Sequence, residues 1–250
     1  MGWCLPDTLT LSLLLAGAAA GGFVNGLAGF GTALFALGFW LLVLPPIEAV
    51  ALAASLSVLS GLQGVWVVRH GIAYRRLARF VVPAVLGLPL GVALLQHLDA
   101  GPLRRLIAVL LLGYGVWFSI RALPRWRGVP RWADSGVGFL GGLLGGMAGL
   151  SGALPMLWCS LRGWSKSETR GVLQPFNVVV LILAVAYYGV LGHLDTAFLV
   201  KLAISLPATL VAAQLGIGLF NRLSDAQYRR LLVSLMVLSG LGLLLREGVG

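Results

Sequence analysis

The sequence predicts an all-α polytopic membrane protein of two homologous halves, each with a glycine-broken first element followed by three spanning helices. Of the 250 residues, 59% are hydrophobic and 10% are charged, and one glycine-rich block occurs twice. Soluble domains are about 45–50% apolar and about 25% charged. Helices and not a barrel are expected, because the sequence has no segments that alternate polar and apolar residues.

The glycine block GGFVNGLAGFGTAL, residues 21–34, returns 120 positions later as GGLLGGMAGLSGAL, residues 141–154, with seven of fourteen positions identical. The same offset places Glu48 on Glu168. Further along, an offset of 125 aligns the segment around Arg104 with that around Arg229. Internal duplication on this scale is a signature of secondary transporters. We therefore expect transmembrane repeats at 1–122 and 136–250, joined by a basic cytoplasmic linker at 123–135.

About eight hydrophobic segments follow one another along the chain. A single first helix of 36 residues, 9–44, would be about 54 Å long, nearly twice the hydrocarbon thickness. We therefore expect two half-helices, 9–24 and 31–44, joined where glycine lets the backbone turn. The other predicted segments are 49–68, 79–97 and 103–120 in the first half, and 136–161, 170–189, 197–219 and 228–245 in the second.

The basic residues favour one topology. If each first element crosses the membrane once, the halves are parallel and the 18 Lys and Arg residues divide 10 to 8 between the two sides. If the broken element returns to the side it entered, the halves are inverted and the division becomes 14 to 4. Because Lys and Arg accumulate in cytoplasmic loops, inverted repeats with two re-entrant hairpins are favoured over eight plain spans in parallel repeats.

The net charge of +10 comes from residues between the apolar blocks and not from one face or tail. This distribution is typical of membrane loops and excludes a nucleic-acid partner from our expectations. We expect a multi-pass protein of the cell (inner) membrane, in contact with the lipid bilayer and compatible with a homo-oligomer. Residues 1–10 contain no Lys or Arg, so no cleavable signal is expected.

Neither a metal nor a cofactor is expected. The two cysteines, Cys4 and Cys159, are too few and too far apart for a disulfide framework or a metal site, and Cys159 is interpreted as a packing residue. His70, His97 and His193 lie at span ends without ligand spacing.

Two roles are predicted for the glycines. Pairs spaced by four form small-xxx-small patterns that let transmembrane helices touch: Gly22 with Gly26, and Gly142 with Gly146. The later ones would break the helix and let the backbone approach a ligand: Gly29, Gly31, Gly149 and Gly152.

A break of this kind predicts an anion site. Free N–H groups and the positive end of each second half-helix, near Thr32 and near Ala153, would point into the membrane interior. Polar residues within apolar spans usually face a cavity or a partner helix, although interhelical hydrogen bonding is the alternative for each of them. The predicted substrate-binding residues are Asn25, Gly29, Gly31, Thr32, Gly149, Ser151, Gly152, Gln174 and Asn177.

Two acidic residues stand at helix starts. Glu48 follows Pro45-Pro46, and Glu168 completes the capping-box pattern that begins at Ser165. Helix capping is the favoured role, with ion coupling as the alternative. No charged residue is clearly placed in the middle of a span, so the sequence predicts no proton relay.

Two other functions remain open from the residues alone. The string Gly149-Leu150-Ser151-Gly152 matches a short motif around the nucleophile of rhomboid-type intramembrane serine proteases, with His193 as a conceivable base. The first repeat has Gly31 at the position of Ser151, which argues against catalysis. A non-transporting membrane scaffold or assembly protein is the second alternative.

The chain resembles the TauE/SafE (sulfite exporter, TSUP) family of membrane transporters. The resemblance covers nearly the whole chain. It is carried by the glycine blocks at 21–34 and 141–154, the proline-containing loop at 45–46, the alanine- and serine-rich span after it, and the basic turns. It implies a permease, not an enzyme, that moves a small anion such as sulfite, sulfoacetate or thiosulfate. Asn25 and Ser151 depart from the glycines at the equivalent positions of the other repeat, so the two half-sites need not be equivalent.

Overall fold

The fold is α-helical throughout the residues that the computed structural model describes, which are 7–119, 132–224 and parts of 226–237. Its helices are α1 (Thr8–Ala28), α2 (Thr32–Trp40), α3 (Pro46–Val68), α4 (Tyr74–Leu95), α5 (Ala100–Ser119), α6 (Trp132–Ala148), α7 (Ala153–Leu161), α8 (Lys166–Val190) and α9 (Thr196–Arg222). By length and composition, five of the described segments could cross a membrane: α1, α3 with the short 3-10 turn after it, α4, α8 and α9. The all-α, multi-pass prediction is thus confirmed at this level, and the total of eight segments stays a prediction.

Helix boundaries lie close to the predicted ones wherever the structure describes them. The predicted segment 49–68 is α3, which starts three residues earlier because Pro46 is well suited to the first turn of a helix. α6 begins at Trp132, inside the linker predicted at 123–135, and the linker's earlier residues lie outside the described ranges. Most of the predicted last span, 228–245, also lies outside them.

The first glycine block breaks its helix, as predicted. α1 ends at Ala28 and α2 begins at Thr32. Between them Gly29 and Gly31 have φ angles of 83° and 99°, in the left-handed region that costs other residues about 1–2 kcal/mol. The Gly29 N–H donates to Asn25 O and closes the end of α1. The chain can therefore reverse between two helices of one apolar segment.

The second block breaks in a related way. α6 ends at Ala148, and Gly149 has a φ of 67°. Gly152 differs from the prediction, because its φ of −78° is accessible to any residue. Its small size is needed for a contact instead, since a Cβ there would lie 2.6 Å from Phe30 Cβ.

Each second half-helix runs back along the first. Thr32, at the start of α2, lies beside Gly21, and Trp40, at its end, donates from Nε1 to Leu14 O at 3.2 Å. The second repeat has the same arrangement, with Trp158 of α7 donating from Nε1 to Asp134 Oδ1 of α6 at 2.8 Å. Both broken elements are therefore helical hairpins.

The early glycines pack helices, as predicted. A Cβ at Gly22 or at Gly26 of α1 would overlap backbone carbonyls of α9, at Thr209 and Ala213. In the second repeat, Cβ atoms at Gly142 and Gly146 of α6 would overlap those of Ala84 and Leu88 in α4. Backbones at this separation exclude any side chain, which is why α1 lies on α9 and α6 lies on α4.

Helices α3 and α8 cross antiparallel at the centre of the molecule. Gly171, near the start of α8, lies against the Gly71 carbonyl beyond the end of α3. Farther along, Gln174 contacts Gly64, and Asn177 donates to Ser57 in the middle of α3. The two helices occupy corresponding places in the two repeats, and both hairpins pack against them.

Candidate functional site

The two glycine breaks meet in the interior of the protein. Gly152 lies against the side chain of Phe30, which stands between the two left-handed glycines of the first break. Gly149 lies against Ala33, whose Cβ would be 3.2 Å from a Cβ on that glycine. The breaks of both repeats thus form one buried junction.

The start of α2 supplies hydrogen-bond donors to this junction. The first N–H groups of a helix have no acceptor within it, and they carry the positive end of its dipole. Thr32, the first residue of α2, is 1% exposed, and its hydroxyl oxygen has no hydrogen-bond partner. The position predicted for an anion therefore has unused donor capacity.

The Asn25 side chain is hydrogen-bonded to α3. Its Nδ2 donates to Ser60 Oγ at 2.7 Å and to Ser57 O at 3.2 Å. Its Oδ1 is buried and has no partner. The side chain joins the end of α1 to the middle of α3, and its remaining capacity is as an acceptor.

Gln174, beside the first break, resembles Asn25 in that its amide nitrogen is hydrogen-bonded and its amide oxygen is not. Its Nε2 donates to Gly61 O at 3.2 Å, while Oε1 is buried without a partner. That oxygen would lie 2.7 Å from a Cβ on Gly29. Gly29 is therefore required both for its backbone angle and to make room for this amide.

The second break is joined to the centre by a chain of hydrogen bonds. Ser151 donates from Oγ to Asn177 Oδ1, and Asn177 donates from Nδ2 to Ser57 Oγ at 3.1 Å. All three side chains are nearly inaccessible to solvent. Because an amide oxygen cannot take up a proton as a general base must, this environment does not activate Ser151 as a nucleophile.

The structure thus brings the nine predicted residues to one junction in two groups. The first group surrounds the break between α1 and α2: Asn25, Gly29, Gly31, Thr32 and Gln174. The second surrounds the break between α6 and α7: Gly149, Ser151, Gly152 and Asn177. The Ser57 hydroxyl, which accepts from Asn177, is part of the same polar network.

Arg170 is the residue that the sequence analysis missed. It stands at the edge of the predicted segment 170–189 and was counted among the basic residues between the apolar blocks. In the structure α8 begins at Lys166, and the Arg170 side chain is 2% exposed. Its Nη2 donates to Gly26 O at 2.7 Å, and its guanidinium carbon lies 4.1 Å from the centre of the Phe220 ring. The signal was present in the sequence, because Arg170 precedes Gln174 by four residues and Asn177 by seven, which places the three on one helix face.

The acidic residues at helix starts have different roles. Glu168 forms the predicted capping box with Ser165 and also lies 3.6 Å from Arg76. Glu48 makes no side-chain cap at the start of α3 and is paired with Lys201 of α9. The capping prediction is therefore confirmed for Glu168 and wrong for Glu48.

A buried carboxylate lies in the segment that was predicted to be the linker, 123–135. Asp134, in the first turn of α6, is 3% exposed. It accepts from Arg162 Nη2 at 2.7 Å and from the Trp158 indole, and Arg79 Nη1 lies 3.7 Å away. Its partners make it a structural anchor between α6, α7 and α4.

An open cleft of about 500 Å³ lies between α3 and α9, lined by Gln63, Trp66, Val67, Gln214, Ile217 and Gly218. Gln63 neighbours Gly64, which contacts Gln174. The cleft therefore lies near the first break.

Cys159 is buried in α7, as expected of a packing residue. Within the described ranges, no group of three His, Cys, Asp or Glu side chains is placed to hold a metal ion.

Comparison with known proteins gives two matches. The family model "Sulfite exporter TauE/SafE" matches residues 13–243. The chain is also similar to the "Probable sulfite/organosulfonate exporter TauE" of Cupriavidus necator, with 30% identity over 234 residues that cover 89% of this chain and 88% of the relative. No solved structure matches the chain significantly.

Proposed function

This chain belongs to the sulfite exporter TauE/SafE family, and on that premise we propose that it exports a small sulfur oxyanion or organosulfonate across the inner membrane. The family consists of transporters and not enzymes, so Ser151 has no catalytic role here. The substrate class is carried over from the Cupriavidus necator relative, whose name gives sulfite and organosulfonates.

One observation carries the proposal. Two broken helices meet at their breaks in the interior, and buried polar side chains surround the meeting point. Secondary transporters bind their substrates at such discontinuous helices, between repeats and near the bilayer midplane. We assign the substrate site to this junction, with the nine residues of the two groups as its lining.

Inverted repeats are part of the proposal, and helix directions support them. α3 and α8, which correspond in the two repeats, lie antiparallel across the centre. Both hairpins return towards the end from which they start. These directions fit a two-fold axis in the membrane plane that relates repeat 1–122 to repeat 136–250, with 123–135 as the linker.

Equivalent contacts recur across this axis. The approach of Gly22 to Thr209 corresponds to that of Gly142 to Ala84, at offsets of 120 and 125 residues. The ion pair of Glu48 with Lys201 corresponds at the same offsets to that of Glu168 with Arg76. Each repeat thus packs its hairpin on the fourth helix of the other repeat, α1 on α9 and α6 on α4.

Alternating access would follow from the packing of each hairpin on the other repeat. Two similar half-structures can open on one side of a fixed central site while closing on the other. Under the proposed symmetry the two ion pairs lie at opposite ends of the molecule, so one end can separate while the other stays closed.

Flux through the purified full-length protein tests the function. Liposomes carrying the reconstituted protein and preloaded with radiolabelled sulfite, thiosulfate or sulfoacetate should release the label faster than protein-free liposomes. Labelled sulfate serves as a control for leakage. A protein that releases none of the sulfur oxyanions or sulfonates would contradict transport and leave the scaffold role as the better account.

A further inference from the structure

Arg170 stands out because no carboxylate in the described part of the chain compensates its buried positive charge. No carboxylate lies within 4.0 Å of it among the described residues. Its guanidinium group is buried, and both Nε and Nη1 lack hydrogen-bond partners. Burial of an unpaired charge is strongly unfavourable, so an arrangement of this kind calls for an anion.

A purely structural role accounts for only some of the hydrogen-bond donors of the Arg170 side chain. The donation from Nη2 to Gly26 O caps the carbonyl end of α1, where a positive charge is favourable. The ring of Phe220 covers one face of the guanidinium group. Neither contact uses Nε or Nη1, and a cap alone would not require these donors to be buried.

The neutral side chains each offer fewer free donors than Arg170, and no positive charge. Asn25 uses both of its amide N–H groups in hydrogen bonds within the protein, and Gln174 and Asn177 each use one of theirs. The Ser151 hydroxyl also donates to its neighbour Asn177. The unused atoms of Asn25 and Gln174 are oxygens, which accept hydrogen bonds and repel an anion.

The charge is present at one break only. The residue of the first repeat that corresponds to Arg170, 120 positions earlier, is Val50. A Cβ placed on Gly149, at the second break, would lie 4.0 Å from the carbonyl oxygen of Val50. A Cβ placed on Gly29, at the first break, would lie 3.5 Å from Arg170 Cγ. Position 50 therefore lies beside the second break as position 170 lies beside the first, but the positive charge is not duplicated.

We infer that Arg170 contacts the transported anion directly, and that one anionic group binds to its guanidinium group beside the first break. This inference rests on the proposed function and replaces a site of neutral donors with a charged one. Charge-assisted hydrogen bonds are stronger than neutral ones. A single positive charge in a buried site favours substrates with one compact anionic group.

Transport kinetics in proteoliposomes test the inference. Arg170→Gln should raise the KM for sulfite about 10- to 100-fold, as expected for the loss of hydrogen bonds to a charged group. Arg170→Lys should recover part of this loss, because it keeps the charge. Arg75→Gln is the matched control, since it removes the same charge from an exposed position on α4 and should leave KM unchanged.

An Arg170→Gln protein that is folded and has a KM within twofold of the wild type would overturn the inference, because a helix cap would change stability without changing KM. If Arg170→Gln does not fold, Gln174→Glu makes the same test by placing a carboxylate beside the guanidinium group. Its KM should rise about tenfold or more, and an unchanged KM would overturn the inference. Absence of flux in the wild type would instead contradict the proposed function.

If the wild type shows no flux, a binding measurement tests whether Arg170 contacts the anion. Sulfite should then raise the unfolding temperature of the detergent-solubilised wild type and leave that of Arg170→Gln or Gln174→Glu nearly unchanged. An equal shift in the wild type and both variants would overturn the inference.

Discussion

Asn177 donates a hydrogen bond from Nδ2 to Ser57 Oγ at 3.1 Å, and the two residues lie 120 positions apart, at equivalent places in the duplicated sequence. Each stands near the middle of its helix, in α8 and α3. A contact between equivalent residues is expected where a two-fold axis passes through a structure. This contact supports the proposed two-fold relation between the repeats.

Loss of the Asn177 side chain should destabilise the protein more than loss of its partner. Asn177→Ala removes the acceptor for Ser151 as well as the donor to Ser57, and leaves two buried hydroxyls with fewer partners. We expect a loss of about 1–3 kcal/mol, measured by thermal unfolding in detergent. Ser57→Ala, which leaves the bond to Ser151 intact, is the control. Equal unfolding temperatures of the two variants would contradict the network described here.

Close helix packing predicts opposite effects for two glycines of the same interface region. Gly26→Ala would place a methyl group on the Ala213 carbonyl and force α1 away from α9, at a cost of about 1–3 kcal/mol. Gly218→Ala on α9 meets no atom within 4 Å and should be neutral or slightly stabilising, because alanine is the better helix former. Unfolding temperature and yield of monodisperse protein measure both. Tolerance of Gly26→Ala would show that the helices are farther apart than described.

The two equivalent ion pairs should differ in energy. Glu48 and Lys201 have about a fifth of their side-chain surface exposed, whereas Arg76 and Glu168 have about half exposed. Lys201→Met should therefore destabilise by about 1–3 kcal/mol, since Glu48 loses its partner in a partly buried position. Arg76→Met should cost at most about 1 kcal/mol. Thermal unfolding at low and high salt measures both, and a larger effect of Arg76→Met would contradict this ranking.

Inverted repeats predict which positions share a side of the membrane. In a background without native cysteines, Cys at Arg75 and at Ser167 should be labelled by an impermeant reagent from the same side. Cys at His97 and at Thr196 should be labelled from the other side. Parallel repeats would instead place the positions of Arg75 and Thr196 together, opposite Ser167, and that result would refute the inverted arrangement.

Local sequence features were sufficient for the helices and their breaks. Glycine alone adopts the left-handed angles found at Gly29, Gly31 and Gly149 without strain, so the breaks follow from residue type. Small residues four apart also predicted packing faces correctly at Gly22 and Gly26. Gly152 was misinterpreted because a glycine required for a contact has the same sequence pattern as one required for a backbone angle.

Charged residues were harder to place because their environment depends on distant segments. Arg170 belongs to a run of basic residues, and only the packing of α8 against the end of α1 shows that it is buried. Glu48 resembled a helix cap until the approach of α9 brought Lys201 to it. Asp134 is buried through its contacts with Arg162 and Trp158 of the next helix.

By itself the sequence determined the membrane environment, the duplication, the helical breaks and the polar residues near them, because these depend on composition, period and backbone preference. Tertiary structure alone decided which atoms of those residues remain free. Hydrogen bonds between helices engage the amide nitrogens of Asn25, Gln174 and Asn177, while Nε and Nη1 of Arg170 stay unpaired. The polarity of the junction is set by these long-range contacts, which no local pattern in the chain encodes.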